Sequence, residues 1–337
     1  QGRMGLSDQA VFVQVAVADA GTAAALSALL RTAEIEAPNI TGQVIIADTG
    51  SDLTTVLAIN LAGRLVDCRN DNPRARRFSL VEASYRSLWR DGGNYLLSGG
   101  MGGLGRIMLR AIADSTDNAK VLSLGRSPAD AQFIASLQAQ GTTVTHTICD
   151  VSNPDNAAAS VTDFRDQNGS INGVLHIAGL TCDGLLQAKK SAVAQQVVMT
   201  KIGGFTSLDA ATSTDPLDFF VGFSSLAGIT GNEGQADYAL GNGLMDAAAS
   251  ARAHLVRQGL RQGITTSINW PLWTDGALQM PEHSRVALDA NGLRPMESYQ
   301  GLEALGRAVA SGHEQVAVGF GDFDKIVQHL DGPPILQ

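Results

Sequence analysis

From residue 94 onward, short apolar runs alternate with amphipathic segments, and this alternation leaves few architectures open to the chain. Seven of the runs have the length and apolar continuity of strands that are buried on both faces of a sheet. They are NYLLS (94–98), KVLSLG (120–125), TVTHTI (143–148), NGVLHIA (172–178), LDFFVGFS (217–224), TTSINW (265–270) and EQVAVGF (314–320). The intervening segments, such as GLGRIMLRAIADS and DNAAASVTDFRDQ, have a helical pattern. The alternation predicts an α/β fold with a doubly wound parallel sheet of about seven strands.

Residues 1–93 are predicted to form a smaller α/β unit that precedes this sheet. Its predicted strands are VFVQVAV (11–17), GQVIIAD (42–48) and RLVDCR (64–69), and its predicted helices are TAAALSALLRTAEIE and DLTTVLAINLAGRL. No glycine-rich turn follows its first strand, so we expect a structural subdomain that binds no cofactor. The turn residues of WRDGG (89–93) indicate a linker, which divides the chain into residues 1–93 and 94–337. The arginine-rich piece RNDNPRARRF (69–78) is most simply a solvated surface.

Charge and composition exclude several classes of function. The net charge is −9 and no long basic run occurs, which argues against a nucleic-acid partner. No apolar run approaches the ~20 residues of a membrane span, and no secretory signal precedes the first strand. Cys68, Cys149 and Cys182 have no metal-knuckle spacing, and an odd cysteine count indicates reduced thiols in the cytoplasm. The six histidines are scattered, so we expect no metal site. The first residue, Gln1, suggests a domain of a longer polypeptide.

The most informative turn is SGGMGGLG (98–105), which directly follows the strand NYLL. Gly100, Gly102 and Gly105 fit the pattern G-x-G-x-x-G, with a strand before it and a helix opening at its last glycine. Glycines in these places let the backbone approach a pyrophosphate, which lies at the positive end of the helix. The turn predicts a Rossmann-type dinucleotide site.

The end of the next strand indicates which dinucleotide is bound. An NAD-specific enzyme usually has an acidic residue there for the ribose 2′-hydroxyl, whereas this chain has Arg126 and Ser127. A cation and a hydroxyl suit a 2′-phosphate, so NADPH is the predicted cofactor. The alternative is that Arg126 is an ordinary exposed loop arginine. Asp150, after the third strand, could accept a hydrogen bond from the adenine amine.

A possible carbonyl-reducing pair lies in FSSLAGITGNEGQADYALGN (223–242), where Ser225 and Tyr238 have the spacing found in short-chain dehydrogenases. A phenol with an ordinary pKa of about 10 exchanges protons well at neutral pH only beside a positive charge. A serine hydroxyl can hold the carbonyl oxygen and its developing negative charge. Most of those enzymes have a lysine four residues after the tyrosine, where this chain has Asn242. Lys201 is either the displaced cation or one more surface lysine on a helix.

Taken in order, the motifs resemble the ketoreductase domain of modular polyketide synthases, within the short-chain dehydrogenase/reductase superfamily. The matching stretches are SGGMGGLG, GRS (125–127), GVLHIAGLTCDGLL (173–186), TKIGG (200–204), FSSLAGITGNEGQADYALGN, INWPLW (268–273) and GLRPM (292–296). They cover essentially all of 94–320, and residues 1–93 resemble the later part of that family's structural subdomain. In that family the catalytic lysine and asparagine have exchanged places relative to most short-chain dehydrogenases. The sequences INWPLW and GLRPM are most similar to those of synthases that recruit their acyltransferase in trans.

The resemblance implies a catalytic tetrad of Lys201, Ser225, Tyr238 and Asn242. Tyr238 would donate the proton and Ser225 would orient the ketone. Lys201 would hold the cofactor ribose and lower the tyrosine pKa, and Asn242 would support a relay water. The implied cofactor-binding residues are Ser98, Gly99, Gly100, Met101, Gly102, Gly103, Leu104, Gly105, Arg126, Ser127, Asp150, Val151, Ala178 and Gly179.

The family also implies what surrounds the nicotinamide and the substrate. INWPLW would lie beside the nicotinamide, although Trp270 and Trp273 could equally be core residues. Residues 274–296 would form a lid over the substrate. His176, in the turn after its strand, is more simply a packed neutral histidine than a catalytic one.

Stereochemistry follows from two further positions. The B-type ketoreductases carry an LDD-like motif, and Thr181-Cys182-Asp183 keeps its last, most diagnostic aspartate. The A-type has a tryptophan eight residues before the tyrosine, where this chain has Thr230. We therefore expect a D-configured β-hydroxyl, with Asp183 and Gln235 as the stereocontrol residues. Leu240, where part of the B-type has proline, favours an unbranched α-carbon.

The implied substrate is a β-ketoacyl thioester on an acyl carrier protein, within a megasynthase that supplies neighbouring domains. Lys189 and Lys190 could form a basic docking patch, or they could be a solvated pair at a helix start. Two alternatives stay open: a silent or epimerising structural domain, and a free-standing reductase of small ketones. The excised domain is expected to be a monomer or a weak dimer.

Overall fold

The computed structural model describes residues 9–52, 54, 56, 58, 64–69, 73–276 and 282–331, which form two separate sheets. Apart from a few isolated positions, the predicted helix DLTTVLAINLAGRL lies outside these residues. So do residues 277–281 of the predicted lid.

The first sheet has four strands, three of them parallel. In sheet order they are β1 (Val11–Val17), β2 (Ile40–Ile46), β3 (Leu65–Asp67) and β4 (Arg74–Ala75). Helix α1 (Ala20–Glu36) connects the first two strands. It begins where the Asp19 carboxylate accepts a hydrogen bond from the Thr22 amide at 2.6 Å, which satisfies one of the free donors at a helix start.

Strand β4 was not predicted, and it is antiparallel to β3. It lies inside the piece that was predicted to be a solvated surface, a prediction that fails for Arg76. That side chain is half-buried, stacks over the ring of Phe78 at 4.8 Å, and donates to Gln315 Oε1 at 3.4 Å. Burial lowers the pKa of Arg76. The arginine-rich piece therefore contacts the second sheet.

The second sheet has seven strands, all parallel. They are β5 (Asn94–Ser98), β6 (Lys120–Gly125), β7 (Thr143–Ile148), β8 (Gly173–His176), β9 (Phe219–Ser225), β10 (Ile264–Trp270) and β11 (Gln315–Ala317). Their spatial order is β11-β10-β9-β8-β5-β6-β7. The chain first runs outward from β5 and then returns to build the other half from β8. This is a doubly wound Rossmann-type sheet, and its switch point lies between β5 and β8.

Helices cover both faces of the second sheet. They are α2 (Gly103–Ser115), α3 (Ala131–Gln138), α4 (Pro154–Asn168), α5 (Ser191–Ala211), α6 (Ala227–Thr230), α7 (Ala236–Arg257), α8 (Glu282–Ala290), α9 (Ser298–Ala310) and α10 (Phe323–Asp331). Alternate residues of β5 enter opposite cores: Tyr95 and Leu97 pack with α2 and α9, and Leu96 packs with α4, α5 and α7. Among the described residues, no helix is both long and apolar enough to cross a membrane.

The two sheets meet through helices α1 and α7, which approach each other at small residues. A Cβ added to Gly21 would lie 2.4 Å from the Cβ of Ala247, and one added to Gly243 would lie 2.7 Å from the Cα of Ala25. Real Cβ atoms do not approach so closely, so these positions require glycine. Helix α1 therefore packs directly against the helix that begins two residues before Tyr238.

Candidate active site

A cleft of about 1280 Å³ lies along the carboxyl ends of the central strands of the second sheet. Parallel sheets place their ligands at this edge, beside the switch point. The predicted cofactor residues that line it are Gly99, Met101, Gly102, Gly103, Leu104, Gly105, Arg126, Ser127, Asp150, Val151, Ala178 and Gly179. Lys201, Ser225, Tyr238, Asp183 and Gln235 line the same cleft. Ser98, Gly100 and Asn242 lie behind its wall.

The glycine-rich turn has the tight geometry that a pyrophosphate cradle needs. Gly99 has φ +76°, and a Cβ there would lie 2.9 Å from the Ala178 amide. A Cβ on Gly105 would lie 2.2 Å from the Gly99 carbonyl oxygen, so only glycine lets α2 start this close to the turn. No side chain in the described part of the chain caps the start of α2. Its first amides therefore point to the cleft as donors for an anion. The turn fits the diphosphate of a dinucleotide.

The far end of the cleft carries the residues predicted to choose between cofactors. Arg126 and Ser127 are exposed at its rim, directly after β6. Asp150 Oδ1 accepts hydrogen bonds from the amide of Ser152 at 2.9 Å and from its hydroxyl at 2.7 Å. These bonds, and more weakly the charge of Arg126, lower the pKa of Asp150. The rim thus presents a cation and a hydroxyl beside a fixed carboxylate.

Ser98 contributes from behind the wall. Its Oγ accepts the amides of Ile177 at 3.1 Å and Ala178 at 3.2 Å, and it lies 2.7 Å from His176 Nδ1. His176 Nε2 lies 2.9 Å from the Lys201 carbonyl oxygen and must therefore carry the ring proton. Burial, and then the charge of Lys201, lowers the pKa of His176 to about 3. His176 is a packed neutral histidine that joins β5, β8 and α5.

Ser225 ends β9, and Tyr238 and Asn242 occupy the first turns of α7. Burial raises the pKa of the Tyr238 phenol, whereas hydrogen bonds with Ser225 and Asn242 lower it. Asn242 is fully buried, and its Nδ2 donates to the Tyr238 carbonyl oxygen at 2.8 Å. Its Oδ1 has no partner among the described residues, which leaves an acceptor available for a donor in the site.

Lys201 enters the site from α5, the neighbouring helix. Its Nζ donates to the Phe223 carbonyl oxygen at 2.7 Å, and a Cβ on Gly179 would lie 3.2 Å from Nζ. The side chain is buried, which lowers its pKa to about 8, and the charge of Asp246 opposes that shift. A Cβ on Gly241 would lie 3.1 Å from the Val198 backbone, so that glycine allows α5 and α7 to approach. Lys201 is a buried cation facing the cleft rather than a surface lysine.

Asp183 and Gln235 meet at the entrance of the cleft. Gln235 Nε2 donates to Asp183 Oδ1 at 3.0 Å, and the Gly184 amide donates to the Gly234 carbonyl oxygen at 2.9 Å. Asp183 is exposed, so its carboxylate is accessible to a substrate. Thr230 is buried in the wall, and its hydroxyl donates to the backbone carbonyls of Leu226 and Gly231.

Lys189 does not form a docking patch with Lys190. Its Nζ forms a salt bridge with Asp237 Oδ1 at 2.6 Å, with 8% and 2% of the two side chains exposed. It also donates to the Cys182 carbonyl oxygen at 2.7 Å. Lys189 therefore links the segment around Cys182 to the first turn of α7. Sequence reasoning could not find this pair, because the partner lies 48 residues away.

A second buried group escaped the sequence analysis. Asp246 lies on α7, two turns after Tyr238, and accepts hydrogen bonds from Ser267 Oγ at 2.5 Å and Asn269 Nδ2 at 2.8 Å. Burial raises the pKa of Asp246. Asn269 Nδ2 also lies 2.9 Å from the Ser225 carbonyl oxygen. No local pattern in the sequence marks Asp246, because its partners lie on β10. This network fixes the end of β9, where Ser225 lies.

The tryptophans of INWPLW belong to both the wall and the core. Trp270 and Trp273 are almost fully buried, and their rings meet edge to face at 5.0 Å. Both also line the cleft, together with Ala287, Leu288, Asn291 and Leu293 from the described part of the predicted lid.

The site as a whole brings a buried cation, a phenol and a serine hydroxyl to one edge of a dinucleotide cradle. Such a site can deliver a proton to a carbonyl oxygen beside a bound cofactor.

The chain is similar to known proteins over most of its length. The model of the KR domain matches residues 93–275. The polyketide synthase PksN of Bacillus subtilis (strain 168) is 35% identical over 322 residues, which cover 90% of this chain and 6% of PksN. The polyketide synthase PksL of the same strain is 35% identical over 340 residues, which cover 94% of this chain and 7% of PksL. The chain thus spans a small fraction of these synthases.

Solved structures share the fold of both units. A ketoreductase domain from the bacillaene assembly line has a TM-score of 0.87 at 30% identity, covering 96% of this chain and 80% of that chain. An N-terminal ketoreductase from the macrolactin assembly line has a TM-score of 0.77 at 29% identity, covering 95% of this chain and 64% of that chain.

Proposed function

This chain belongs to the KR domain family, the ketoreductase domains of polyketide synthases; we propose that it reduces a β-ketoacyl thioester on an acyl carrier protein. It is accordingly an oxidoreductase that uses a nicotinamide cofactor to reduce a ketone in polyketide biosynthesis. In the proposed reaction the cofactor is NADPH and the product carries a D-configured β-hydroxyl.

The observation that carries the proposal is the buried ammonium of Lys201. A charged side chain in a protein interior costs free energy unless it has partners or a task. Here the ammonium contacts the Phe223 carbonyl and faces the cleft that Ser225 and Tyr238 line. A phenol that must ionise near neutral pH needs such a charge, because burial alone raises the pKa of Tyr238.

Two places in the cleft support the proposal of NADPH. The glycine-rich turn and the uncapped start of α2 would hold the diphosphate, and Arg126 with Ser127 would hold the 2′-phosphate. Asp150 would contact the adenine end, and Ala178 and Gly179 would lie along the ribose near Lys201. When bound, NADPH supplies the hydride for the carbonyl carbon.

The protein's own part in the reaction is to hold the ketone and provide its proton. Tyr238 donates the phenolic proton to the carbonyl oxygen, and Ser225 stabilises the negative charge that develops there. Lys201 stabilises the resulting phenolate, which makes Tyr238 a stronger acid. The free Oδ1 of Asn242 accepts from a water that returns the proton to Tyr238. All four groups remain in the protein, so the cycle consumes only cofactor, ketone and proton.

The D outcome is proposed from the entrance of the cleft. Asp183 retains the last letter of the B-type motif, and its carboxylate is held by Gln235 at the cleft mouth. Thr230 leaves that wall without the bulky ring of the A-type. These residues support entry of the thioester from the Asp183 side.

The remaining proposals concern the surroundings of the domain. Residues 1–93 would act as a structural unit without a cofactor, and residues 94–337 would form the catalytic unit. The domain would work in the cytoplasm as part of a longer synthase. We propose that it is a monomer or a weak dimer when excised.

The deciding experiment is NADPH oxidation with a short β-ketoacyl thioester, followed by chiral analysis of the alcohol. We expect turnover with NADPH, little with NADH, and the D-alcohol as product. The L-alcohol would retain the reductase and reject the role of Asp183. No turnover on the free thioester or on the carrier-bound form, with NADPH still bound, would reject the proposed activity.

A further inference from the structure

The carboxylate of Glu36 reaches the entrance of the cleft from the other unit. Glu36 is the last residue of α1, in the unit to which no catalytic role has been assigned. Its Oε2 accepts a hydrogen bond from the Leu186 amide at 2.6 Å, and its Oε1 accepts one from the Gly234 amide at 2.9 Å. One side chain thus joins two segments of the catalytic unit that are far apart in sequence.

These two segments carry the stereocontrol residues. Asp183 lies three residues before Leu186, and Gln235 directly follows Gly234. The segments also contact each other through the Gly184–Gly234 backbone hydrogen bond at 2.9 Å and the Gln235–Asp183 side-chain bond at 3.0 Å. We call residues 183–186 and 232–235 the entrance segments. A shift of either one moves the carboxylate that faces the incoming ketone.

Burial fixes little of the entrance segments apart from Gly234. Leu185 and Leu186 are exposed by 40% and 42%, and Asn232 and Glu233 are also exposed. Residues without a packed environment keep a defined conformation mainly through their hydrogen bonds. A carboxylate that accepts two backbone amides makes stronger bonds than a neutral acceptor does. Glu36 therefore joins the two segments by two charge-assisted hydrogen bonds.

Helix α1 holds Glu36 in place. One turn earlier, Thr32 Oγ1 accepts the Asn232 amide at 3.1 Å. A Cβ on Gly231 would lie 2.6 Å from the Thr32 amide, and Gly231 has φ +69°. The chain segment that leads to Tyr238 thus packs against the last turns of α1. A group on a packed helix positions its partners more accurately than one on a loop.

We propose that Glu36 is a positioning residue that sets the stereochemical outcome by clamping the two entrance segments. This inference rests on the proposed reduction and extends it, because it makes the structural unit part of the control of product configuration. Among the residues that the structure describes, Glu36 bonds to the entrance segments and does not line the cleft. Its loss should therefore change how the ketone is presented and leave the reducing groups in place.

The test uses Glu36→Ala, which removes both acceptors, and Glu36→Gln, which keeps the shape and one acceptor. The matched control is Glu34→Ala. Glu34 lies on the same helix and also lines the cleft, but its carboxylate accepts from the Gly42 amide and pairs with Arg64 at 2.7 Å, so it holds neither entrance segment. We expect Glu36→Ala to lower the D to L product ratio about tenfold and to raise KM for the thioester by a similar factor. Glu36→Gln should lie between it and the wild type, and the Kd for NADPH should stay within about twofold.

Hydrogen exchange followed by mass spectrometry tests the clamp without any turnover. Peptides covering the entrance segments should exchange faster in both Glu36 variants and at the wild-type rate in Glu34→Ala. Unchanged exchange overturns the clamp. Faster exchange with an unchanged product ratio, or an equal loss of selectivity in the control, overturns the stereochemical role. If Glu36→Ala does not fold, Glu36→Gln decides. A wild type that reduces nothing overturns the proposed function alone, since exchange still reports on the clamp.

Discussion

At the scale of single residues, the proposed tetrad divides its cation and its phenol between two helices. Lys201 lies on α5, and Tyr238 and Asn242 lie on α7. The position four residues after the tyrosine is thereby free for an amide, whose Nδ2 donates to the Tyr238 carbonyl. The proposed activation of the phenol by Lys201 therefore depends on how closely the two helices pack.

Replacing Tyr238 with phenylalanine removes the proposed proton donor and keeps the ring. We expect Tyr238→Phe to lower kcat by about 100-fold or more, because general acid catalysis supplies at least that factor. NADPH affinity should persist, since the cradle does not involve the phenol. Steady-state kinetics and NADPH fluorescence measure the two effects. Tyr299→Phe, at an exposed tyrosine of α9, is the control and should match the wild type. Retained turnover in Tyr238→Phe would assign the proton to another group.

His176 gives the fold a dependence on pH. Its folded pKa of about 3 lies below the ordinary 6.5 of the unfolded chain, so the unfolded state binds more protons between these values. Stability therefore falls as the pH drops through this window, by about 2 kcal/mol from pH 7 to pH 5 for this group. His176→Asn, which keeps an acceptor for Ser98, should lose less stability over the same range.

Urea denaturation of both proteins at pH 7 and pH 5 measures this difference. His329, whose pKa burial lowers to about 4, titrates in the same window in both proteins and cancels in the comparison. Equal losses of stability would mean that His176 is protonated in the folded state.

At the scale of elements, the strands of the second sheet were predictable because burial on both faces gives them continuous apolar runs. β5, β6 and β7 have the predicted bounds. β11 is shorter than its apolar run, with only Gln315–Ala317 paired to β10. β4 could not be predicted, because Arg74–Ala75 has no apolar pattern and pairs only through its position beside β3.

The site was less predictable than the sheet. The glycine turn and the Ser225–Tyr238 spacing are local patterns, and they lead to the cleft. Lys201 was found through the family's motif order. Glu36 and Asp246 carry no local signal, since their partners are brought to them only by the packing of α1 and α7.

The start of α2 offers a paired test of the glycine turn. A Cβ on Gly105 would meet the Gly99 carbonyl at 2.2 Å, whereas one on Gly102 would lie 3.3 Å from that atom. We expect Gly105→Ala to destabilise the protein by about 1–3 kcal/mol through overpacking. Gly102→Ala should leave stability nearly unchanged and weaken NADPH binding about tenfold by blocking the diphosphate. Thermal unfolding without cofactor and NADPH titration separate the effects. Equal stability of the two variants would mean that the Gly99 carbonyl does not exclude a side chain at Gly105.

At the scale of the whole molecule, helix α1 connects the two sheets. Ala25 has no exposed surface and lies against Gly243 of α7. Arg31, also on α1, donates to the Leu330 carbonyl at 2.9 Å and the His329 carbonyl at 2.7 Å, so the same helix fixes the end of α10. The first unit thus contacts both the approach to Tyr238 and the end of the second unit.

This contact predicts that the two units unfold together. Ala25→Leu should wedge α1 away from α7, lower the free energy of unfolding by about 1–3 kcal/mol and separate the transition into two. Differential scanning calorimetry measures both changes. The same substitution at Ala251, on the exposed side of α7, should leave one transition at the wild-type temperature. A single unshifted transition in Ala25→Leu would mean that the units are not coupled through this helix.

The position of Glu36 affects how such domains can be recombined. The linker of this chain lies at residues 89–93, between the two sheets, and a chimera joined there would keep both sheets whole. It would nevertheless combine the entrance segments of one parent with the α1 of another, and the residue at position 36 would come from the wrong donor. Crossover points placed ahead of α1 keep the carboxylate with the loops it holds, so the transferable piece is larger than the catalytic sheet.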